Sequence, residues 1–225
     1  MAELRLQVVD IAIAAASKLV QRNLTDDDNR RLVREFVEQI ELRALIPGII
    51  APPRAELDVL DPGSIARAFA RHRPDVVVHA AAYTDVKGAE SDPDGCRRVN
   101  VDGTRNVVAA LQEGALLVHI STDYVFEGTR GMYREGDPTG PTVNVYAESK
   151  LEAETVARTA PRHLVIRTSF RPREWPYPVA FTDVFTSQDY VDIIAPMVAR
   201  AIRHAADIPF EVLHIATERK SVYEL

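Results

Sequence analysis

A chain of 225 residues with 46% hydrophobic content is long enough to bury a substantial core as one domain. Its net charge of −6 and pI of 5.6 argue against a protein that binds nucleic acid or anionic membranes through charge. No apolar run approaches the roughly 20 residues that a membrane helix needs, and the N-terminus lacks a secretory-signal pattern. Cys96 is the single cysteine, which excludes an internal disulfide. We therefore expect a cytoplasmic protein without nucleic-acid or membrane partners.

Residues 1–43 predict a helical hairpin. The alanine content and apolar spacing of residues 4–22 favour an amphipathic helix over a strand. A second helix is expected after the Thr25 N-cap and its following aspartates. Residues 8–41, with Ile11-Ala-Ile-Ala-Ala-Ala and the Asp-rich turn before Arg30, also resemble the C-terminal part of an F-type ATP synthase b subunit. That resemblance implies a hairpin that docks a protein partner; an ordinary alanine-rich surface helix pair fits the pattern about equally well.

Residues 44–225 predict a Rossmann-like, doubly wound α/β domain. Three apolar runs predict adjacent parallel strands at Val76–Val78, Leu116–Val118 and Leu164–Ile166. Helical patterns alternate with these strands, which favours parallel βα units over an antiparallel meander. Because parallel strands end at one edge of a sheet, the residues that follow them are expected to meet there.

Tyr146 and Lys150 are four residues apart and therefore share one face of a predicted helix. A phenol has an ordinary pKa near ~10 and is a poor acid at neutral pH unless a cation stabilises its phenolate. The Lys150 ammonium can supply that stabilisation, and the hydroxyl of Thr122 can hold a substrate oxygen. The pattern alone is common on solvated helix faces, so its weight depends on the segment that precedes it.

That segment, Ser121-Thr-Asp-Tyr-Val-Phe126, together with Tyr146-x-x-x-Lys150, resembles the extended short-chain dehydrogenase/reductases, and among them the sugar-nucleotide reductases of the dTDP-4-dehydrorhamnose reductase family. The resemblance implies an enzyme that reduces a 4-keto sugar nucleotide with NADP or NAD. It assigns proton donation to Tyr146. In this resemblance Lys150 lowers the pKa of Tyr146 and contacts the nicotinamide ribose. Thr122 positions the substrate carbonyl.

The same resemblance implies a set of cofactor-binding residues. The small residues after the Val76 strand would pack against the flat cofactor, and Asn100 would brace the site. Asp58 would lie near the adenine end of the cofactor. His79 is expected to be a satisfied histidine at a strand end. The full set is Asp58, Val59, Ala80, Ala81, Ala82, Asn100, Ser121, Tyr146, Lys150, Arg167 and Thr168. No metal site is expected.

The start of the chain departs from this family, which opens with a strand and a glycine-rich turn that admits the cofactor pyrophosphate. Here the first glycine is Gly48, and Asp10 and Ile13 stand where glycines are expected. The glycine loop is therefore expected to be missing, and the first strand is missing as well if residues 4–20 are helical. Residues 218–225 resemble a family helix cut off as it begins. A non-catalytic regulatory or binding subunit of the same fold is the alternative function, and a homodimer is one expected assembly.

Overall fold

The structure, a computed structural model, describes residues 8–10, 45–171, 173 and 179–225. We number its elements in chain order. The strands are β1 (Val8–Asp10), β2 (Val76–His79), β3 (Leu116–Thr122), β4 (His163–Thr168), β5 (Phe170–Arg171), β6 (Phe185–Thr186), β7 (Asp189–Tyr190), β8 (Val212–Ile215) and β9 (Lys220–Ser221). The α-helices are α1 (Pro62–His72), α2 (Val86–Ser91), α3 (Pro93–Arg97), α4 (Gly103–Ala110), α5 (Val145–Ala157) and α6 (Val191–Arg203).

Five parallel strands form the central sheet in the order β1-β2-β3-β4-β8. Val76 is in register with Leu116, and Val118 with Leu164, so the three strands predicted to be adjacent are adjacent. Each is a short apolar run, as expected for strands buried on both faces. The predicted Rossmann-like α/β fold is confirmed.

The two faces of the sheet bury separate cores because successive strand residues point to opposite faces. On one face Val76, Val118 and Ile166 pack with Ile194 of α6. On the other, Val77 and Leu117 pack with side chains of α1, α4 and α5. The helix α5, which carries Tyr146 and Lys150, therefore lies on the second face. This arrangement places helices on both faces, as in a doubly wound sheet.

The helix predicted for residues 4–22 is wrong at Val8–Asp10, which form β1 and pair in parallel with Val76–Val78. Two β-branched valines at the open side of β2 gain ladder hydrogen bonds there, and this tertiary pairing outweighs the helical pattern of the neighbouring alanines. The strand expected to be missing is thus present beside β2. The rest of the predicted hairpin, residues 1–7 and 11–43, lies outside the described residues, and the boundary at residue 44 stays a prediction.

The helical run from Pro93 to Ala110 is interrupted by a wider turn. The helix α3 is followed by a π-helical turn at Arg98–Asp102 and then by α4. Asp92 caps the start of α3 by accepting a hydrogen bond from the Gly95 N–H. In the described part of the chain, no helix combines the length and apolarity needed to span a membrane.

Candidate active site

The carboxyl end of β3 presents two hydroxyl residues, Ser121 and Thr122, both buried. The Thr122 Oγ1 accepts a hydrogen bond from the Tyr124 N–H and donates one to the Asp123 carboxylate, each at 3.2 Å. This bonding turns the chain sharply into a 3₁₀ turn at Asp123–Val125. On β4, in register with Thr122, the Thr168 hydroxyl is buried without a hydrogen-bond partner among the described residues.

The helix α5 begins beside this edge because the Asn144 side chain caps it, accepting from the Ala147 N–H at 2.7 Å. Its first turn carries Tyr146, which is partly buried, and the next turn carries Lys150, which is 3% exposed. The Tyr146 ring lies edge-on to Tyr124 with a centroid separation of 6.0 Å. The Thr122 hydroxyl interacts with the Tyr146 phenol. The structure therefore brings Thr122, Tyr146 and Lys150 together.

Burial dominates the acidities of both helix residues. It raises the pKa of Tyr146 well above its usual value, and the contact with the Thr122 hydroxyl only partly offsets this rise. Burial lowers the pKa of Lys150 to about 8, against an opposing influence of the Glu154 carboxylate. The Lys150 Nζ donates a hydrogen bond to the Ile120 carbonyl at 2.8 Å. A Tyr146 pKa lowered by Lys150 therefore stays a prediction.

Asn100 is hydrogen-bonded to the segment after β2, and its predicted role in cofactor binding stays a prediction. Its Oδ1 accepts from the Tyr83 N–H at 2.7 Å, and its Nδ2 donates to the Ser149 Oγ at 2.8 Å. The π-helical turn presents Asn100 in this position, where it is 1% exposed. Asn100 thus links the loop after β2 to the first turns of α5.

Two buried histidines lie beneath the site as register partners on β2 and β3. The ring centroids of His79 and His119 are 5.2 Å apart. The His79 Nε2 is 2.9 Å from the Thr104 hydroxyl, whose own proton goes to the Asn100 carbonyl. Both nitrogens of His119 and the Nδ1 of His79 have no partner among the described residues. Burial lowers the pKa of His79 to about 3, with Lys150 adding to the effect, so both rings are neutral in the folded protein.

A buried ion pair that the sequence analysis missed lies one turn beyond Lys150. Glu154 accepts two hydrogen bonds from the Arg167 guanidinium, at 2.9 and 2.8 Å, and one from the Ser121 hydroxyl at 2.6 Å. Both charged side chains are almost fully buried. Arg167 and Ser121, predicted to bind cofactor, thus contact Glu154, and their cofactor role stays a prediction. The i+4 spacing from Lys150 was the signal that could have found Glu154.

The predicted cofactor wall after β2 consists of small side chains, with Ala81 and Ala82 buried and Ala80 partly exposed. The described contacts of Asp58 do not include Thr122, Tyr146 or Lys150. Asp58 accepts hydrogen bonds from the Leu60 N–H at 2.9 Å and from the Arg54 Nε at 3.2 Å. Val59 is buried against α4, so closely that a Cβ on Gly103 would lie 3.0 Å from it.

A nicotinamide dinucleotide fits the described part of this edge. Alanines leave space for a flat ring beside β2, and the unpartnered Thr168 hydroxyl offers a hydrogen-bonding group. Residues 11–44, which would contain the turn next to the pyrophosphate, lie outside the described residues. Within the part of the chain that is described, no group of three or more His, Cys, Asp or Glu residues could hold a metal ion.

A parallel sheet of this order with helices on both faces defines the Rossmann-like α/β class. Residues 30–174 match the family described as "RmlD substrate binding domain". The match covers more than half of the chain, and the chain belongs to this family.

Two curated relatives and one solved structure give the extent of the similarity. The chain is 44% identical over 130 residues to a dTDP-4-dehydrorhamnose reductase of Burkholderia thailandensis, covering 56% of this chain and 43% of the relative. It is 34% identical over 172 residues to an Escherichia coli enzyme of that name, covering 68% and 57%. It is also similar to the Bacillus anthracis dTDP-4-dehydrorhamnose reductase in complex with NADP, with a TM-score of 0.74, 25% identity, and coverage of 96% and 76%.

The chain therefore spans about half the length of the curated relatives that it matches. The predicted similarity of residues 8–41 to the F-type ATP synthase b subunit is not supported by these comparisons. The reductase family match already begins at residue 30, and Val8–Asp10 belong to the central sheet. The amphipathic alanine pattern that suggested the stalk subunit is common to many helices and carries little family information.

Proposed function

We propose that this chain is an NAD(P)-dependent reductase of a 4-keto sugar nucleotide, acting as dTDP-4-dehydrorhamnose reductases do. The observation that carries the proposal is the convergence of Thr122, Tyr146 and Lys150 at the carboxyl edge of adjacent parallel strands. In open α/β sheets this edge is where ligands bind. The names of the related enzymes support the substrate class, and the NADP in the Bacillus anthracis structure supports the cofactor.

The residues have distinct roles in this proposal. Thr122 holds the substrate carbonyl by hydrogen bonding, next to the Tyr146 phenol. Tyr146 then gives its proton to the carbonyl oxygen as negative charge develops there. Lys150 places a positive charge one helical turn away and limits the cost of the phenolate that remains. A bound nicotinamide dinucleotide would supply the hydride, and the alanines after β2, Asn100 and Thr168 would help to form its binding wall.

The acidities of the described site fit a proton donor that is activated on substrate binding. Burial keeps the Tyr146 phenol protonated at neutral pH, which is the form that a donor requires. The Lys150 ammonium is engaged with the Ile120 carbonyl. We propose that this ammonium acts on Tyr146 from its place beside the Ile120 carbonyl.

Oxidation of NADPH and NADH with dTDP-4-keto-6-deoxyhexose, followed at 340 nm, tests the proposal. Turnover by the wild-type chain, its loss in Tyr146→Phe and its retention in Tyr223→Phe are the expected results. Tyr223 is 70% exposed and serves as the matched control. A folded protein without turnover on this substrate would refute the enzyme proposal for this chain.

The second candidate is a non-catalytic binding or regulatory subunit, and one observation favours it. No glycine precedes Gly48, so residues 11–44, which follow β1 in the chain, include no residue without a Cβ for close pyrophosphate approach. Calorimetric titration with NADPH discriminates between the two candidates. Binding with a micromolar Kd favours the enzyme, whereas sugar-nucleotide binding without dinucleotide binding favours the subunit.

The remaining partners are part of the same proposal. A sugar nucleotide is the expected small-molecule ligand. We further propose homodimerisation, which sedimentation velocity can test, and a cytoplasmic location. The predicted docking of a protein partner by residues 1–43 falls almost wholly outside the described residues and stays a prediction.

A further inference from the structure

Glu154 is a buried carboxylate that the proposed chemistry does not use. It is 1% exposed. Its Oε1 accepts from the Ser121 hydroxyl and the Arg167 Nε, and its Oε2 accepts from the Arg167 Nη2. The Arg158 guanidinium lies 3.7 Å from the same Oε2. A bidentate bond to arginine with a further hydroxyl donor fixes a carboxylate in both position and orientation.

These bonds join three elements of the fold at one point. Ser121 on β3 and Arg167 on β4 are register partners, so their side chains leave the sheet on the same face. Glu154 reaches them from α5, which packs on that face. The bonds therefore set the height and rotation of α5 above the two strands. Lys150 lies one turn earlier on α5, and its hydrogen-bond acceptor, Ile120, is the residue before Ser121.

The charges around Lys150 give Glu154 a second effect. Among the neighbouring groups, Glu154 raises the pKa of Lys150 most, and Cys96 comes next. Burial raises the pKa of the Cys96 thiol and lowers the pKa values of the two histidines beneath Lys150, so these groups are uncharged at neutral pH. The titratable groups that interact with Lys150 are Glu154 on α5, Cys96 on α3, His79 on β2 and His119 on β3.

We propose that Glu154 is a positioning residue: through Ser121 and Arg167 it fixes α5 so that Lys150 bonds the Ile120 carbonyl, with the Glu154 carboxylate one helical turn away. This inference deepens the proposed function, because Lys150 is the cation which that function assigns to Tyr146. Glu154 itself makes no contact with reacting atoms. Its effect is exerted through Lys150.

A titration of Lys150 in the chain without cofactor tests the proposal. The chain contains four lysines, Lys18, Lys87, Lys150 and Lys220, so ε-¹³C-lysine labelling gives four NMR signals, and Lys150→Arg assigns one of them. In Glu154→Gln the Lys150 midpoint should fall by about one pH unit, because a nearby negative charge is lost while the ammonium stays buried. Glu152→Gln is the matched control: Glu152 pairs with Arg97 at the surface of the same helix, and its loss should leave the Lys150 midpoint unchanged.

The direction in which the Lys150 midpoint shifts in Glu154→Gln separates a positioning role of Glu154 from a role in stabilising the fold alone. An unchanged midpoint in Glu154→Gln would overturn the proposal. So would a rise toward the midpoint of the exposed Lys87, because it would mean that α5 had only come loose. Where Glu154→Gln does not fold, Glu154→Asp takes its place, with a carboxylate withdrawn by one methylene. A lower Lys150 midpoint in that variant supports the proposal, and an unchanged or higher one contradicts it.

A second measurement separates this inference from the proposed function. If the chain reduces a 4-keto sugar nucleotide, the alkaline limb of its kcat profile should move to lower pH in Glu154→Gln together with the Lys150 midpoint. A shifted NMR midpoint without any turnover in wild type would refute the reductase proposal and leave the positioning of Lys150 standing. Turnover by wild type together with an unchanged Lys150 midpoint in Glu154→Gln would support the reductase proposal and refute the positioning role of Glu154.

Discussion

The paired buried histidines predict that acid weakens the fold in a defined pH window. His79 and His119 are each 1% exposed. Burial lowers the pKa of His79 from 6.5 to about 3 and that of His119 well below its usual value. A histidine whose pKa is depressed by folding binds its proton more readily when unfolded. Its stabilising contribution is complete above pH 6.5 and is lost as pH falls below that value toward the folded pKa.

The size of the effect follows from this linkage. Each histidine removes about 1.4 kcal/mol from the free energy of unfolding for every pH unit below 6.5, as long as the folded pKa is not reached. At pH 5 the loss is about 2 kcal/mol for one histidine and about 4 kcal/mol for two. Against a typical domain stability of about 5–15 kcal/mol, that is a substantial fraction.

Urea unfolding from pH 5 to 7.5, comparing wild type with His119→Leu, isolates one histidine from the carboxylates that also titrate. His119 has no hydrogen-bond partner among the described residues, so leucine leaves no described polar group unpaired. The pH slope below 6.5 should be smaller in His119→Leu by about 1.4 kcal/mol per pH unit. Replacement of the exposed His204 by glutamine is the control and should keep the wild-type slope. Equal slopes in wild type and His119→Leu would refute the reasoning.

Three further predictions concern the site. Tyr146→Phe should lower reductase turnover at least about tenfold, because the proton donor is lost. The change in Tm should be small, because Tyr146 is only partly buried. Turnover above a tenth of wild type would exclude proton donation by Tyr146. Lys150 is buried, and burial lowers its pKa from 10.5 to about 8, so folding favours its neutral form. The free energy of unfolding of wild type relative to Lys150→Met should therefore rise by about 1.4 kcal/mol per pH unit from pH 8 to 10, as measured by urea unfolding. NADPH binding should be weakened by about 4 kcal/mol, from a micromolar toward a millimolar Kd, because no glycine precedes residue 45. Introducing G-x-x-G-x-x-G after β1 and ahead of residue 45 should restore it. Calorimetry showing micromolar binding by the unchanged chain would contradict this.

The strands and the face that carries Tyr146 were predictable from local pattern. Val76–Val78 and Leu116–Val118 are continuous β-branched or apolar runs, and burial on both faces of a parallel sheet requires such runs. The i, i+4 spacing of Tyr146 and Lys150 fixes their common face on any α-helix. The ends of β3 and β4 meet because the strands are parallel, which the alternation of helices and strands already indicated.

The features that sequence could not supply depend on contacts between distant residues. Val8–Asp10 is a three-residue strand in an alanine-rich context, and only its pairing with β2 makes it a strand. The ion pair between Arg167 and Glu154 could not be predicted, because no local pattern shows that a glutamate on α5 meets Arg167. The depth of Lys150, which sets its pKa, likewise depends on how α5 packs on β3.

The π-helical turn at Arg98–Asp102 bears on how the site can change. A π turn closes its hydrogen bonds from residue i to i+5, one residue more than an α turn. Removing one residue there would restore a regular α-helix while α3 and α4 keep their present phase on either side. The core residue Val107 would stay buried, and the Asn100 amide would no longer reach the Tyr83 backbone. A single-residue deletion would thus remove the hydrogen bond between Asn100 and Tyr83 and spare the core, so this turn separates the integrity of the site from the stability of the fold.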